Sequence, residues 1–362
     1  MTFVMAGGGT GGHVVPLIAV ARELRRRGHT PIFIGTRSGM EARLVPKEEF
    51  EIEFIEIGGL KRVGWRRTLR TLAQLPQSVA RVMGLLRRLR PGGVFSLGGY
   101  VAGPVTIAAW LLRIPIVLME PNAMPGMTNR RMAKFARRAL LSFTEASPYF
   151  DPAKVAMTGL PVRAEFFALP ARPRQEKLTV LVTGGSRGSQ KLNEAGRASW
   201  ALFEREKFPV RWIHQTGLAE YEKMREAFAA SGSEGVVAPF LEDMPGAFAA
   251  SDLIVCRSGA GAVAELAAAG KPAILAPFPY AADDHQLRNA EAMERAGAAK
   301  LMPDAGLTGE SLYEAIVSLA REPGALARMG ECARTLAKPG AAARAADILE
   351  EEAARAGTKQ GG

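Results

Sequence analysis

The chain is 362 residues long, 48% hydrophobic, with a formal net charge of +11 and two cysteines. That length exceeds one ordinary core and the apolar content is enough to fill two, so two domains are expected. Two cysteines, Cys256 and Cys332, exclude a disulfide framework and a cysteine metal site, and no apolar run of ~18 residues could span a bilayer, which together point to a cytosolic protein.

Residues 3–5 form a short apolar run that predicts a buried strand. Ala6-Gly7-Gly8-Gly9-Thr10-Gly11-Gly12-His13 follows, and residues 14–27 then carry apolar side chains at helical spacing up to a capping Gly28. Glycines between a strand and a helix let backbone come close to a ligand. The free N–H groups and positive dipole end of that helix suit a phosphate. His13 enters beside any such anion and is a candidate acid or base. The plainer alternative is a tight turn capped by Thr10.

Further strand-like runs lie near residues 31–34, 52–57, 94–97, 116–119, 139–143 and 155–157, then near 178–183, 210–214, 236–239, 253–256, 273–276 and 299–302. Continuous apolar strands alternating with amphipathic helices predict an α/β protein with parallel sheets covered on both faces. The pattern breaks at Gly159-Leu160-Pro161-Val162 and at the Pro/Arg segment 170–177, where the domain junction is expected. Residues 178–190 then repeat the opening: strand, the loop Gly184-Gly185-Ser186-Arg187-Gly188-Ser189, helix. Two such domains would hold a ligand at the carboxyl ends of their strands, in the cleft where they face one another.

Charge is uneven. Residues 1–160 hold 23 Lys and Arg against 10 Asp and Glu, and residues 57–119 hold ten basic residues and no acidic one. From Gly58 to Arg90, Leu60, Val63, Trp65, Leu72, Leu75, Val82 and Leu86 interleave with Lys61, Arg62, Arg66, Arg81 and Arg87. A basic amphipathic helix of this kind suits an anionic membrane surface, or else packs its apolar stripe on the core and solvates the basic face. Nucleic acid is not expected as a partner: no binding module is present and Trp65 is the one aromatic there for stacking.

Gly98-Gly99-Tyr100 and Glu120-Pro121-Asn122 each follow a predicted strand. A carboxylate and an amide at a strand end can meet a polyol or hold an Asx-type turn. Arg163 follows the junction and can hold a phosphate or a carboxylate. Residues 256–289 run from Cys256-Arg257-Ser258-Gly259 through Ala260, Gly261, Ala262, Val263, Ala264 and Glu265 to Asp283-Asp284-His285-Gln286. Small residues opening that helix allow approach to a diphosphate. Glu265, nearly two turns along, can accept both hydroxyls of a ribose or be a solvent-facing charge. Gln286 can donate to a sugar or sit on the helix surface. Asp283-Asp284 lies at a predicted helix start and is not read as a metal site.

In this order these motifs resemble the MurG family of GT-B N-acetylglucosaminyltransferases over nearly the whole chain. The resemblance implies two Rossmann-like domains facing across a cleft: residues 1–162 on the acceptor and membrane side, residues 163–339 binding the donor, and the helix of residues 340–362 returning to the first domain. It implies UDP-GlcNAc as donor, undecaprenyl-pyrophosphoryl-MurNAc-pentapeptide (lipid I) as acceptor, a β-1,4 linkage made with inversion, no cofactor or metal in the chemistry, and a peripheral place on the cytoplasmic face of the plasma membrane. Donor contacts carry over to Thr10, Gly11, Gly12, Asn122, Arg163, Ser186, Ala260, Gly261, Ala262, Val263, Ala264, Glu265 and Gln286, with Leu241 meeting the uracil through its backbone. Tyr100 and Glu120 fall on the acceptor side. Two departures stand out: His285-Gln286 where the family often has Gln-Gln, and Pro121 where it often has Gln.

Inversion needs one displacement at the anomeric carbon. A base must take the proton of the acceptor 4-hydroxyl, and donors must meet the leaving UDP. His13 is the expected base, because a helix start favours neutral imidazole; Glu120 is second. Ser186, Arg163 and the N–H groups opening the helix at Ala260 are expected to meet the leaving group. Rival readings are a UDP-GlcNAc 2-epimerase of the same fold and a silent nucleotide-sugar-binding membrane subunit. An NAD-dependent oxidoreductase is disfavoured because Gly35-Thr36-Arg37 stands where an acidic ribose ligand would follow the second strand.

Overall fold

The computed structural model describes residues 1–8, 11–57, 64–170 and 176–358; Thr10 and residues 58–63 of the basic stretch lie outside the described residues. The chain divides into two compact units, Met1–Val162 with Gly340–Gly362, and Arg163–Pro339.

The first unit runs β1 (Thr2–Gly7), α1 (Gly11–Arg26), β2 (Thr30–Gly35), α2 (Glu41–Lys47), β3 (Glu51–Phe54), α3 (Gly64–Leu89), β4 (Gly93–Gly98), α4 (Ala102–Leu111), β5 (Ile116–Glu120), α5 (Met127–Met132), β6 (Arg138–Leu141) and β7 (Val155–Met157). Among the described residues its strands form one sheet in the order β3-β2-β1-β4-β5-β6-β7, every pairing parallel. β4 and β5 are buried at every residue while edge strand β3 is not. Central strands covered on both faces read as unbroken apolar runs, which is why they were visible in the sequence.

The second unit has β8 (Leu178–Thr183), α6 (Gln190–Arg205), β9 (Val210–Gln215), α7 (Tyr221–Ser231), β10 (Gly235–Ala238), α8 (Met244–Ala249), β11 (Leu253–Cys256), α9 (Ala260–Ala269), β12 (Ala273–Leu275), α10 (His285–Arg295), β13 (Ala299–Leu301), α11 (Gly309–Arg321) and α12 (Ala325–Thr335). Its sheet, in the order β10-β9-β8-β11-β12-β13, is again parallel throughout. The strand order thus reverses between β1 and β4 in one unit and between β8 and β11 in the other. A reversal opens a crevice at the carboxyl ends of the strands, because the connections leave toward opposite faces. All four glycine-bearing turns read from the sequence follow those four strands.

α13 (Ala341–Thr358) belongs to the first unit. Its buried Ala345, Ile348, Leu349 and Ala353 form the apolar face. Leu349 lies so near β4 that a Cβ at Gly93 would stand 3.0 Å from its Cδ1. Arg27 fixes the polar side, donating to Asp347 and Glu350 at 2.7 Å each.

The basic stretch divides the two readings left open above. Over its described side chains, residues 75–90, α3 is a core helix. Val82 and Leu86 are 0% and 1% exposed, within the same cluster as Val94, Val105 and Leu118, and Val79, Met83, Leu85 and Leu89 pack against it. Arg81, Arg87, Arg88 and Arg90 stay exposed. Val82 and Leu86 are thus spent on the core they share with α4 and the sheet. No described helix is long and apolar enough to cross a membrane.

Candidate active site

In the first unit β1 delivers the backbone to Gly8, and Gly11 and Gly12 open α1 with His13 as its third residue, half-buried. After β4 the chain turns through Gly98 and Gly99 at φ +88° and +81°, conformations open to glycine and strained for other residues. Gly99 also packs on the first turn, since a Cβ there would lie 2.8 Å from the Gly8 carbonyl oxygen. The two glycine turns therefore touch, backbone on backbone, and carry His13 and Tyr100 at one end of the sheet.

Glu120 ends β5 and is 1% exposed. Its Oε1 accepts from the Asn122 N–H at 3.0 Å and the Asn122 side-chain amide at 3.1 Å. Its Oε2 accepts from the Gly126 N–H at 3.1 Å and the Asn129 amide at 2.8 Å. Burial pushes this carboxyl above its ordinary range, and the four donors oppose that rise. A carboxylate offers about four acceptor positions, so Glu120 is saturated. It is the knot of the loop over residues 120–129 rather than an open base, and Asn122, half-buried, is held by it.

In the second unit the loop after β8 turns through Gly185 and Gly188 at φ +82° and +74° and exposes Ser186. A Cβ at Gly188 would fall 1.9 Å from the Thr216 carbonyl oxygen, so the loop is seated on the end of β9. The Ser189 hydroxyl caps α6, accepting from the Leu192 N–H at 3.4 Å, and Arg257 clamps that hydroxyl to Asp304. α9 begins at Ala260 after an extended Gly259 with no side-chain cap. The N–H groups of Ala260, Gly261 and Ala262 are thus presented by a bare helix start.

Glu265 is the sixth residue of α9 and half-buried, not the solvent-facing charge that was the alternative. Burial pushes its carboxyl up to about 7, and the positive charge of Arg163 works the other way. The Arg163 guanidinium lies 5.0 Å from the centre of the Phe166 ring. Val263 is buried and Ala264 half-buried in the same helix. The Gln286 oxygen accepts from the Phe278 N–H at 2.9 Å, which fixes which end of the amide is the NH2 donor. His285 Nδ1 meets the Ala282 carbonyl at 2.6 Å, so that nitrogen carries the hydrogen. Asp283 and Asp284 stand at φ +54° and +51° ahead of α10, a left-handed turn where a plain helix start was expected.

The Leu241 N–H donates to Gln215 Oε1 at 2.8 Å. The buried Gln215 amide also donates to Thr183 Oγ1 at 3.1 Å and the Gly185 carbonyl at 3.0 Å, so it braces the glycine loop and the Leu241 loop together. Gln215, Thr36 and Glu41 are not among the site residues expected from the sequence. Thr36 Oγ1 lies 2.9 Å from the Tyr100 hydroxyl, and Glu41 Oε1 accepts from the Thr36 N–H and hydroxyl at 2.9 Å each. The available signal was a polar residue at a strand end beside glycine: Gln215 closing β9 ahead of Gly217, and Thr36 following Gly35 of β2.

Comparison with known proteins now bears on these features. The glycosyltransferase family 28 N-terminal domain matches residues 3–141 and the family 28 C-terminal domain residues 179–350. A UDP-N-acetylglucosamine--N-acetylmuramyl-(pentapeptide) pyrophosphoryl-undecaprenol N-acetylglucosamine transferase of Solibacter usitatus is 58% identical over 97% of this chain and 96% of its own. The protein of the same name from Myxococcus xanthus is 39% identical over 96% of this chain and 92% of its own. The crystal structure of Acinetobacter baumannii MurG superposes with a TM-score of 0.82 at 32% identity, covering 97% of this chain and 99% of that one. With identity sustained across both units, the chain belongs to the MurG family of glycosyltransferase family 28, the pyrophosphoryl-undecaprenol N-acetylglucosamine transferases.

Proposed function

We propose that this protein transfers N-acetylglucosamine from UDP-GlcNAc to the 4-hydroxyl of MurNAc in undecaprenyl-pyrophosphoryl-MurNAc-pentapeptide, lipid I to lipid II, with inversion. The observation that carries the reading is 58% identity, over nearly all of both chains, to a transferase named for that reaction. Geometry within each unit agrees with it. In the second unit Glu265 takes the ribose hydroxyls, the bare start of α9 with Ser186 and Arg163 takes the diphosphate, and Gln286 donates to the sugar. In the first unit Gly11 and Gly12 line the turn, Asn122 and Tyr100 meet substrate, and His13 removes the acceptor proton. Glu120, saturated by four donors, keeps the 120–129 loop in shape.

His13→Ala is expected to lower kcat by about 10²- to 10⁴-fold, the usual worth of a general base, while UDP binding persists. Release of UDP and of GlcNAc-bearing product, measured with UDP-GlcNAc and a lipid I analogue, checks both claims. ManNAc as product, or UDP release independent of acceptor, would overturn the transfer reading.

Contact with the anionic cytoplasmic face of the membrane belongs to the same reading, through a patch the sequence did not single out. Trp110 and Leu111 at the end of α4 are 50% and 48% exposed. The Phe135 ring lies 4.8 Å from Trp110, and Lys134 stands 5.0 Å from the Phe135 ring centre. Exposed Arg113, Arg131 and Arg137 follow in the adjoining segments. Aromatic and apolar side chains ringed by cations suit an interface of acidic headgroups. Trp110→Glu/Leu111→Glu is expected to abolish co-sedimentation with phosphatidylglycerol vesicles; unchanged sedimentation would remove this site.

A further inference from the structure

Tyr100 follows β4 and Thr36 follows β2, and β1 lies between those two strands in the sheet. The contact between their hydroxyls, 2.9 Å, therefore runs across the turn that follows β1. Beneath it sits Glu41, 1% exposed. Its carboxylate is packed into glycines: a Cβ at Gly8 would fall 2.5 Å from Oε1, and one at Gly39 would fall 2.1 Å from Oε2. Carboxylate, glycine turn and hydroxyl pair are thus one packed assembly at the switch point of the first sheet.

Counting hydrogens fixes the polarity of this assembly. A hydroxyl has one hydrogen and two lone pairs. Thr36 gives its hydrogen to Glu41 Oε1 at 2.9 Å, because a carboxylate only accepts. The Tyr100–Thr36 contact must then use the Tyr100 hydrogen. What the Tyr100 oxygen still has to offer a ligand is lone pairs. Burial on the Thr36 and Glu41 side, at 4% and 1% exposure, keeps water from reversing the chain.

We infer that Thr36 and Glu41 are positioning residues that set Tyr100 as a hydrogen-bond acceptor, so that its oxygen receives a sugar hydroxyl or amide N–H of the acceptor substrate and does not donate to the diphosphate. This rests on the transfer reading and deepens it, assigning a polarity to one contact. Phosphate oxygens carry no hydrogen and gain nothing from such an oxygen; a hydroxyl or amide does.

Steady-state kinetics with UDP-GlcNAc and a lipid I analogue tests it. The proteins are wild type, Tyr100→Phe, Thr36→Val, Thr36→Ser and the double variant Tyr100→Phe/Thr36→Val, each with its thermal unfolding recorded. Tyr100→Phe and Thr36→Val should each raise the KM for acceptor by about tenfold, the scale of one hydrogen bond, with the KM for donor unmoved. Thr36→Ser, which keeps the hydroxyl, should recover most of the loss. The double variant should be no worse than the more affected single variant, since Phe leaves Thr36 nothing to orient. Replacing Tyr100 by 3-fluorotyrosine, which donates better and accepts worse, should raise the KM for acceptor at pH 7.

A fall in that KM with 3-fluorotyrosine overturns the polarity. Unchanged acceptor KM in Thr36→Val, multiplying effects in the double variant, or donor and acceptor KM moving together overturn the positioning role. A wild-type protein that transfers no GlcNAc brings down the transfer reading and this inference with it, a result distinguishable from active wild type with indifferent variants.

Discussion

Glu265 carries two opposed demands. Burial raises its carboxyl to about 7, against an ordinary value near 4.5, so the folded state holds a proton that the unfolded chain releases. Stability from this group is therefore present at acidic pH, falls as pH rises between about 4.5 and 7, and is then level. The cost above pH 7 is on the order of 3 kcal/mol. Glu265→Gln should remove it: the variant, without nucleotide, should unfold at higher temperature than wild type at pH 8 and show little gain at pH 4. It should lose UDP affinity, because a neutral amide is a weaker acceptor for ribose hydroxyls than a carboxylate. Wild-type UDP affinity should fall by up to tenfold per pH unit below 7, and the variant should be flat there; calorimetric titration at three pH values reads both. His214 has the contrary sign. Burial holds its imidazole down to about 3, so stability is full above about 6.5 and is lost as pH falls toward 3. Stability measured by denaturant between pH 6 and 4 should drop with a slope near one proton attributable to this residue, and His214→Asn should lose that slope.

Among the helices, periodicity was informative where one face is polar and silent where none is. α3 alternates arginines with leucines, so its stripe could be found, but not what covers the stripe. A core shared with α4 and the sheet covers Val82 and Leu86, and Leu86→Ala should cost about 2–5 kcal/mol, read as a lowered denaturant midpoint with vesicle binding retained. α4 is apolar nearly all round, so no pattern told that Trp110 and Leu111 remain outside. The strands were legible because burial on both faces leaves them no polar alternation. The glycine turns were legible because positive φ and backbone contact, as at Gly99 and Gly188, exclude side chains. Glu120 was found as a residue but not as a knot: a carboxylate ending a strand does not announce four donors. Thr36 and Tyr100 are separated by 64 positions, and Gln215, ending β9, joins the loops that follow β8 and β10 on either side of it. Pairings of that range arise from strand order, which a single sequence does not disclose.

At the scale of the molecule, both units present their glycine turns at the reversal of strand order, and the repeated opening at residues 178–190 was the trace of that in the sequence. The first unit is discontinuous in the chain: Met1–Val162 is completed by α13, after the entire second unit. Removing residues 341–358 should expose the faces of α1 and β4 that Leu349 and Ala353 cover. The shortened protein should lose the cooperative unfolding of the first unit, seen as a separate early transition in calorimetry, while the second unit keeps its own.

That same arrangement sets an order of events during synthesis. The second unit is contiguous and can fold as soon as Pro339 clears the ribosome, whereas in the first Arg27 has Glu23 alone, and His29 lacks a carboxylate, until Asp347 and Glu350 arrive. A nascent chain stalled between these points would carry a finished second unit and an unsealed first one. In that interval a chaperone has its best-defined target.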